Sequence, residues 1–251
     1  MRLRNAAKRA SVSLISRSPS AVLPTAFAAV RVMSRHGVVY GSPLACATVG
    51  AIWDSLSYTK LSDLAPTVPP PKGFAPYTVP WDTMAVQVGA SLGRKADAEQ
   101  LVKDTKAAIA KQAKANPAFA RSKAVLIDPD DGGGVYIFAP SDVRTRFLGD
   151  LGFTMPAEIE KLFKGQFYAQ ISAERLDLLD LADVLILVAV RKPQVRQLTS
   201  SRSYKSLAAV KEQRLVTIDD PDLAIAMSYS SVASTPFQLR EVVPRLREAL
   251  A

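Results

Sequence analysis

The stretch VLILVAV at residues 184–190 decides the class of fold. Its seven residues are apolar, uninterrupted and rich in β-branched side chains, which is the pattern of a strand buried on both faces of a parallel sheet. Around it, short apolar segments that predict strands alternate with amphipathic segments that predict helices. This alternation indicates an α/β fold, in which helices cover a sheet.

The same alternation runs from about residue 120 to the end of the chain. We predict further strands at 124–127, 135–139 and 215–218, and helices at 141–151, 173–179, 194–198, 204–210 and 236–250. Ser141 and Ser172 are the predicted N-caps of two of these helices. The loop DPDDGGG at 128–134 lacks the Glu that closes an EF-hand, so it predicts a turn between strands rather than a calcium site.

Two helices are also predicted before residue 117. They cover 81–92 and 96–112, and Gly93 falls where the first of them ends or bends. Met84, Val88 and Leu92 recur at helical spacing and predict a buried stripe.

Charge divides the chain near residue 54. The chain has 32 Lys and Arg and 23 Asp and Glu, but residues 1–53 hold seven of the basic residues and none of the acidic ones. The rest therefore has 25 basic and 23 acidic residues. A nearly neutral body argues against nucleic acid as a partner.

The basic start of the chain predicts no regular series of helices or strands. We expect residues 1–54 to be a poorly ordered or non-homologous extension. Four interpretations stay open: a secretory signal cleaved near 26–28, a lipoprotein box with a lipid on Cys46, a transit peptide, and a misassigned start or frame. The pattern does not choose among them, because Arg17, Pro19 and Pro24 interrupt the apolar stretch.

Composition excludes several kinds of chemistry. The chain has one cysteine, Cys46, and one histidine, His36, so it holds neither an internal disulfide nor a Cys/His zinc site. No apolar run reaches the ~18 residues that span a bilayer. The glycine patterns of nucleotide-binding loops are absent. We predict no catalytic residue, no metal held by protein ligands and no cofactor.

Candidate ligand-binding residues follow three of the predicted strands. They are Arg144 and Arg146, Arg191, and Tyr229. Open α/β sheets bind ligands outside the carboxyl ends of their strands, and a guanidinium group donates paired hydrogen bonds to an anion. Taken singly, each arginine is explained equally well as a surface residue. Together the four residues predict an anion-facing rim.

Five segments, taken in order, resemble the motifs of one protein family. They are LSDLAPTV at 61–68, a W-G-LG-A pattern from Trp81 to Ala98, RFLGDLGF at 146–153, ISAERL and DVL within 171–185, and YKSLAAVK at 204–211. The family is that of the iron-siderophore (Fe/B12-type) substrate-binding proteins of ABC importers. The resemblance extends from about Tyr58 to the C-terminus.

The resemblance implies an α/β fold like that of class III periplasmic binding proteins, and a receptor rather than an enzyme. Its ligand would be a ferric siderophore, with haem or a corrinoid still open, and Arg144, Arg146, Arg191 and Tyr229 would grip an anionic chelate. Glu174 resembles the glutamate that docks on the ABC permease of the inner membrane, although a glutamate at a helix start is equally explained by the helix dipole. We expect a monomer in the periplasm or cell envelope.

The resemblance also divides the chain. It implies an extension at 1–54, the end of a first lobe at 55–80, an inter-lobe helix at 81–117 and a C-terminal α/β lobe at 118–251. Most of the first lobe is missing or unrecognisable, so we expect a truncated or frame-disrupted receptor with weak affinity. The alternative is an isolated C-terminal lobe that serves as an interaction module, or a fragment without ligand binding.

Overall fold

The structure is a computed structural model. It describes residues 30–32, 38–42, 45–49, 55–63, 67–74 and 78–251. Within these ranges the strands form a small sheet near the start of the chain and a larger one after residue 123. His36 and the candidate cleavage site at 26–28 lie outside the described residues.

The small sheet has four strands in sequence order. They are β1 (Val30–Val32), β2 (Val38–Ser42), β3 (Ala45–Val49) and β4 (Thr67–Val68). β1, β2 and β3 pair antiparallel, and β4 pairs parallel with β3. β1–β3 were not predicted, because their sequences, VRV, VVYGS and ACATV, mix apolar residues with Arg, Gly, Ser and Thr and give no continuous apolar run. Cys46 lies in β3, and its side chain is outside the described part of the structure.

The larger sheet confirms the predicted class of fold. Its strands are β5 (Ala124–Pro129), β6 (Val135–Phe138), β7 (Tyr168–Ile171), β8 (Val184–Val188) and β9 (Leu215–Ile218), in the spatial order β7-β6-β5-β8-β9. β8 pairs parallel with both of its neighbours and is buried along its whole length, as its sequence predicted.

The helices come from both parts of the chain. They are α1 (Ser55–Ser62), α2 (Trp81–Ser91), α3 (Lys95–Ala115), α4 (Val143–Asp150), α5 (Ala157–Glu160), α6 (Lys192–Ser200), α7 (Arg202–Ser206), α8 (Ala208–Lys211), α9 (Pro221–Tyr229) and α10 (Thr235–Ala249). Two 3₁₀ segments, Phe119–Arg121 and Ala173–Leu181, complete the set within the described ranges.

Two hydrophobic clusters form on the opposite faces of the larger sheet. Successive strand residues alternate between them: Leu126 and Ile186 belong to one cluster, and Ile127 and Leu187 to the other. The first cluster contains side chains of α3, α4, α9 and α10, and the second contains side chains of α5 to α8 and of Ala173–Leu181. The result is a sheet between two layers of helices.

Residues 81–117 form two antiparallel helices joined at Leu92–Arg94. Asp82 of α2 forms an ion pair of 2.5 Å with Lys106 of α3, and Gly89 of α2 lies against Ala98 of α3. A Cβ atom added to Gly89 would come within 2.3 Å of the Ala98 Cβ, so the close approach of the helices depends on this glycine. The bend falls at Gly93, whose φ of 69° lies in the left-handed region.

The direction of β6 corrects one sequence expectation. β6 pairs antiparallel with β5 through the tight hairpin at 130–134, so its carboxyl end faces the opposite edge of the sheet from those of β5 and β8. β7, which was not predicted as a strand, pairs antiparallel with β6 and so runs parallel to β5. Residues that follow β6 therefore do not share an edge with those that follow β8.

Candidate ligand-binding site

The carboxyl edge of the larger sheet is the edge at which β5, β7, β8 and β9 end. The loops at this edge are residues 128–134, 172–177, 189–196 and 219–222. Open α/β sheets bind their ligands at this edge, because loops and helix N-termini converge there. A ligand-binding site is therefore expected at this edge.

Asp130 organises the hairpin turn between β5 and β6. Its side chain is buried, and Oδ1 accepts hydrogen bonds of 2.8 Å from the backbone nitrogens of Gly132 and Gly134. The amide nitrogen of Gln170 on β7 donates to Oδ2. Asp130 therefore holds the turn together from inside, which agrees with a turn between strands.

Arg191 lies at the carboxyl edge, three residues after the end of β8 and immediately before α6. Its Nη2 donates to Oδ1 of Asp128 at 3.0 Å and to the carbonyl of Pro129. The side chains of Arg191 and Asp128 are both partly exposed. The guanidinium is thus bound to the β5–β6 hairpin, and the ion pair that it forms with Asp128 is partly exposed to solvent.

Arg144 lies near the other end of β6 and is bound within its own helix. Asp142, not the predicted Ser141, is the N-cap of α4, and its carboxylate accepts from the Arg144 backbone nitrogen at 2.9 Å. The same carboxylate accepts from Nε and Nη2 of Arg144 at 2.7 and 3.0 Å. The guanidinium lies 3.7 Å from the centre of the Phe138 ring. Two charge-assisted bonds and a ring contact give this arginine a structural role.

Arg146 joins α4 to the segment that leads into α2. Its Nη2 donates to the carbonyls of Thr78 and Ser141, at 3.0 and 2.7 Å. Beside it, a cavity of about 350 Å³ lies between α2, α3 and α4. The residues lining it are Pro80, Trp81, Asp82, Lys106, Ile109, Ala110, Arg146 and Asp150.

Two carboxylates in this cavity have opposite pKa shifts. Burial raises the pKa of Asp150, although the Trp81 indole donates to its Oδ2 at 3.2 Å and Arg146 lies near. Burial also acts to raise the pKa of Asp82, but the Lys106 ammonium and the Thr83 backbone nitrogen outweigh it, so that pKa is lowered. The cavity therefore has its own internal charge pairing.

Tyr229 is the last residue of α9, a helix that was not predicted from the sequence. Its side chain is 77% exposed, and Ile225, four residues earlier, is 58% exposed. Residues four apart lie on one face of a helix, so the two form an exposed apolar pair. The missed signal was Asp220-Pro221, because Asp is a favoured N-cap and Pro a favoured first helical residue.

Glu174 lies at the carboxyl edge, in the 3₁₀ segment that follows β7. It is exposed to solvent, and hydrogen bonds from the Ser172 hydroxyl and from its own backbone nitrogen lower the pKa of its carboxyl group. It therefore presents a negative charge to solvent at neutral pH.

The structure does not assemble the four predicted residues into one rim. Arg191 lies at the carboxyl edge, whereas Arg144 and Arg146 follow β6 at its opposite end. No hydrogen bond or ring contact joins Tyr229 to any of the three arginines, all of which lie in the described range 78–251. The antiparallel direction of β6 is the reason that Arg144 and Arg146 are separated from Arg191.

A second cavity, of about 970 Å³, lies at the opposite edge of the sheet, beside the start of β9 and the end of α10. Arg214, at its wall, donates to Glu212 and to the carbonyl of Asp183, and Arg245 donates to the Thr217 carbonyl at 3.0 Å. These arginines support the edge strand. The cavity lies at the amino ends of β8 and β9, away from the edge where such sheets bind ligands.

Two kinds of feature are absent from the described residues. Among them, no three His, Cys, Asp or Glu side chains are grouped so that they could hold a metal ion. None of the described helices has the length and apolarity needed to cross a membrane.

Comparison with known proteins places the chain in a family. The sequence profile described as "Periplasmic binding protein" matches residues 50–221, more than half of the chain. This chain belongs to the periplasmic binding protein family. The match begins close to Tyr58, where the sequence resemblance begins, and the family is one of binding proteins, not enzymes. A comparison with curated protein sequences finds no match.

Solved structures of similar fold agree with this family. A periplasmic solute-binding protein from Mycobacterium smegmatis is 27% identical, with a TM-score of 0.69, over 83% of this chain and 71% of that one. PiaA from Streptococcus pneumoniae, solved in complex with ferrichrome, is 22% identical with a TM-score of 0.68, over 81% and 69% of the two chains. FhuD2 from Staphylococcus aureus, solved with bound ferrioxamine B, is 19% identical with a TM-score of 0.62, over 82% and 76%.

Proposed function

We propose that this periplasmic binding protein is the receptor of an ABC importer, and that its ligand is a ferric siderophore. One observation carries the proposal. The chain shares its fold, over four fifths of its length, with PiaA and FhuD2, whose structures were solved with ferrichrome and with ferrioxamine B. A receptor of this kind works outside the cytoplasmic membrane, in the periplasm or cell envelope, and we propose that it does so as a monomer.

We propose Arg191 and Tyr229 as the residues that contact the ligand. Arg191 lies at the carboxyl edge and is partly exposed, and Tyr229 with Ile225 offers an apolar surface on α9. For Arg144 and Arg146, which the resemblance also marked as ligand-binding, the observed bonds favour a supporting role. They hold the start of α4 and its contact with Thr78.

We propose Glu174 as the residue of the C-terminal lobe that docks on the permease. Its support is an exposed carboxylate whose pKa is lowered, so it is ionised at neutral pH. A docking residue has to be accessible while a ligand is bound, and Glu174 follows β7, which is separated by two strands from β8, the strand that precedes Arg191.

A fluorescence titration tests the receptor function. The chain has two tryptophans, and addition of ferrioxamine B or ferrichrome to the purified protein should quench their emission to a saturating value. Arg191→Gln and Tyr229→Ser should each weaken binding about tenfold, whereas Arg247→Gln, at an exposed position on α10, should not. Absence of saturable quenching by either chelate would instead support an interaction module that carries no ligand.

A further inference from the structure

We propose that the ligand carries no net negative charge: the site selects a neutral or cationic ferric chelate and disfavours an anionic one. The inference rests on the proposed function and narrows its ligand class. It also departs from the anion-facing rim that the arginines suggested in the sequence.

The first argument is that all three arginines that the sequence marked as anion-facing are already compensated, both Arg191 at the carboxyl edge and the two that lie away from it. Arg191 forms an ion pair with Asp128, and Arg144 forms a two-bond pair with the fully buried carboxylate of Asp142. Arg146 donates to two backbone carbonyls and lies close to Asp150. An anionic chelate would have to displace these partners and leave carboxylates unpaired, which costs binding free energy.

The second argument is the charge of the carboxyl edge. Its four loops, 128–134, 172–177, 189–196 and 219–222, contain eight acidic residues and only four basic ones. The acidic residues are Asp128, Asp130, Asp131, Glu174, Asp177, Asp219, Asp220 and Asp222, and the basic ones are Arg175, Arg191, Lys192 and Arg196. Although the body of the chain is nearly neutral, this edge has an excess of four negative charges, which repels anions and attracts cations.

The excess is exposed where the chain passes from β9 into α9. Asp219 and Asp222 are exposed, and no ion pair to either occurs among the described residues. Lys192 and Arg196, on the first turns of α6, are the exposed cations nearest to Arg191 in the chain. The carboxylates outnumber them, so the field at the edge stays negative.

The third argument is the surface of α9 itself. Asp222, Ile225 and Tyr229 recur at spacings of three and four, so one face of the helix presents a carboxylate followed by two exposed apolar side chains. A face of this composition packs against an apolar ligand body and attracts a positive group near its N-terminal end. Of these three side chains only the Tyr229 hydroxyl can donate a hydrogen bond, and none carries a positive charge to pair with a carboxylate or a catecholate.

The competing chelates differ in charge by simple stoichiometry. Iron(III) bound by three hydroxamate groups is neutral, and the complex of desferrioxamine B adds a protonated amine. Iron(III) bound by three catecholate groups is a trianion. Titrating the protein with the ferric complex of desferrioxamine B and with a ferric tris-catecholate should show at least about tenfold tighter binding of the hydroxamate complex at low salt. Raising the salt should reduce the difference, because screening weakens the repulsion.

Removing negative charge from the carboxyl edge should reduce the preference for the hydroxamate complex over the tris-catecholate. Asp128→Asn releases Arg191 from its ion pair, and Asp219→Asn removes an exposed charge that makes no hydrogen bond within the described structure. Both variants should improve tris-catecholate binding several-fold and so reduce the preference for the hydroxamate complex. Asp104→Asn, the same charge change on α3, should alter neither. Asp219→Asn keeps the test valid if Asp128→Asn does not fold.

The outcomes separate the two claims. Preference for the hydroxamate complex, reduced in Asp219→Asn, supports the inference. Equal or tighter binding of the tris-catecholate overturns the inference and leaves the receptor function standing. Binding of neither chelate, by a protein that is folded by circular dichroism, overturns the receptor function and the inference together.

Discussion

At the scale of single residues, three carboxylates position features around the larger sheet. Asp142 caps α4 and binds Arg144, Asp130 holds the β5–β6 turn, and Asp128 binds Arg191. The sequence showed the arginines as a set of candidates, but it did not show their partners. Asp128 and Arg191 are 63 positions apart, so only the fold brings them together. For Arg144 the partner is local, and the difficulty was a choice between two adjacent candidate caps, Ser141 and Asp142.

Substituting Asp142 and Ser141 in turn tests which of them is the N-cap of α4. Asp142→Ala should lower the free energy of unfolding by about 2–4 kcal/mol, because it removes the N-cap and leaves the Arg144 guanidinium without its counter-ion. Ser141→Ala should change it by less than about 0.5 kcal/mol, because Arg146 uses the Ser141 backbone carbonyl rather than its hydroxyl. Urea unfolding followed by circular dichroism measures both. Equal losses in the two variants would contradict the assignment of the cap.

Tyr204 supports a prediction about alkaline pH. Its hydroxyl is buried without a hydrogen-bond partner, and burial raises the pKa of Tyr204 to about 12 from a usual 10.0. Between these values the unfolded chain releases this proton and the folded chain keeps it, so the stability of the folded state falls as the pH rises. Tyr204→Phe should be as stable as the wild type or more stable at neutral pH, by up to about 1 kcal/mol. Its thermal stability should also decline less between pH 10 and 12; a steeper decline would count against the assignment.

At the scale of elements, periodicity and burial determined what was predictable. β8 and β9 were predictable because a buried strand is written in the sequence as a short apolar run. α10 was predictable because a 15-residue amphipathic helix has a clear period. β7 was not predicted, because its sequence, YAQI, contains a polar glutamine and only Ile171 is buried, so it gives no buried apolar run. The strand direction of β6 could not be inferred from its composition, and it is this direction that separates Arg144 and Arg146 from Arg191.

Replacing glycine by alanine should change the stability of the fold in opposite directions at two positions, one in α2 and one in α4. Gly89→Ala should destabilise the fold by about 1–3 kcal/mol, because the new Cβ would lie 2.3 Å from the Ala98 Cβ. Gly149→Ala should stabilise it by about 0.5–1 kcal/mol, since that glycine lies in α4 with nothing within 4 Å of a Cβ. Thermal and urea unfolding compare the two. If Gly89→Ala also stabilised the protein, α2 and α3 would not pack this closely.

At the scale of the whole molecule, the family match indicates a binding protein, whereas the charge of the carboxyl edge bears on which ligand it binds. The family profile covers residues 50–221, and the larger sheet with its helices lies mostly inside that range. Its carboxyl edge is acidic, and Glu174 belongs to it. The sequence predicted the family from motifs in order, because such motifs mark turns and helix starts that recur in a fold. It did not predict the charge of the edge, because the four loops come together only in the sheet.

Glu174 tests the proposed delivery step. In vesicles that contain the cognate permease, Glu174→Gln should lower ligand-stimulated ATP hydrolysis several-fold, because an exposed carboxylate that pairs with a permease cation is lost. Chelate affinity should stay within about twofold of the wild type. Glu158→Gln, an exposed glutamate on α5, is the matched control and should hydrolyse ATP normally. Loss of chelate binding in Glu174→Gln would instead place this residue in the ligand site.

The central claim is that this chain binds an iron chelate, and equilibrium dialysis tests it most directly. The purified protein is dialysed against radioactive iron supplied as the complex of desferrioxamine B, with the iron-free chelator as competitor. We predict that bound iron saturates at one equivalent per chain and that Arg191→Gln lowers the affinity. If a folded protein retains no iron above the level of a control protein, from this complex or from a ferric tris-catecholate, the receptor function is wrong for this chain.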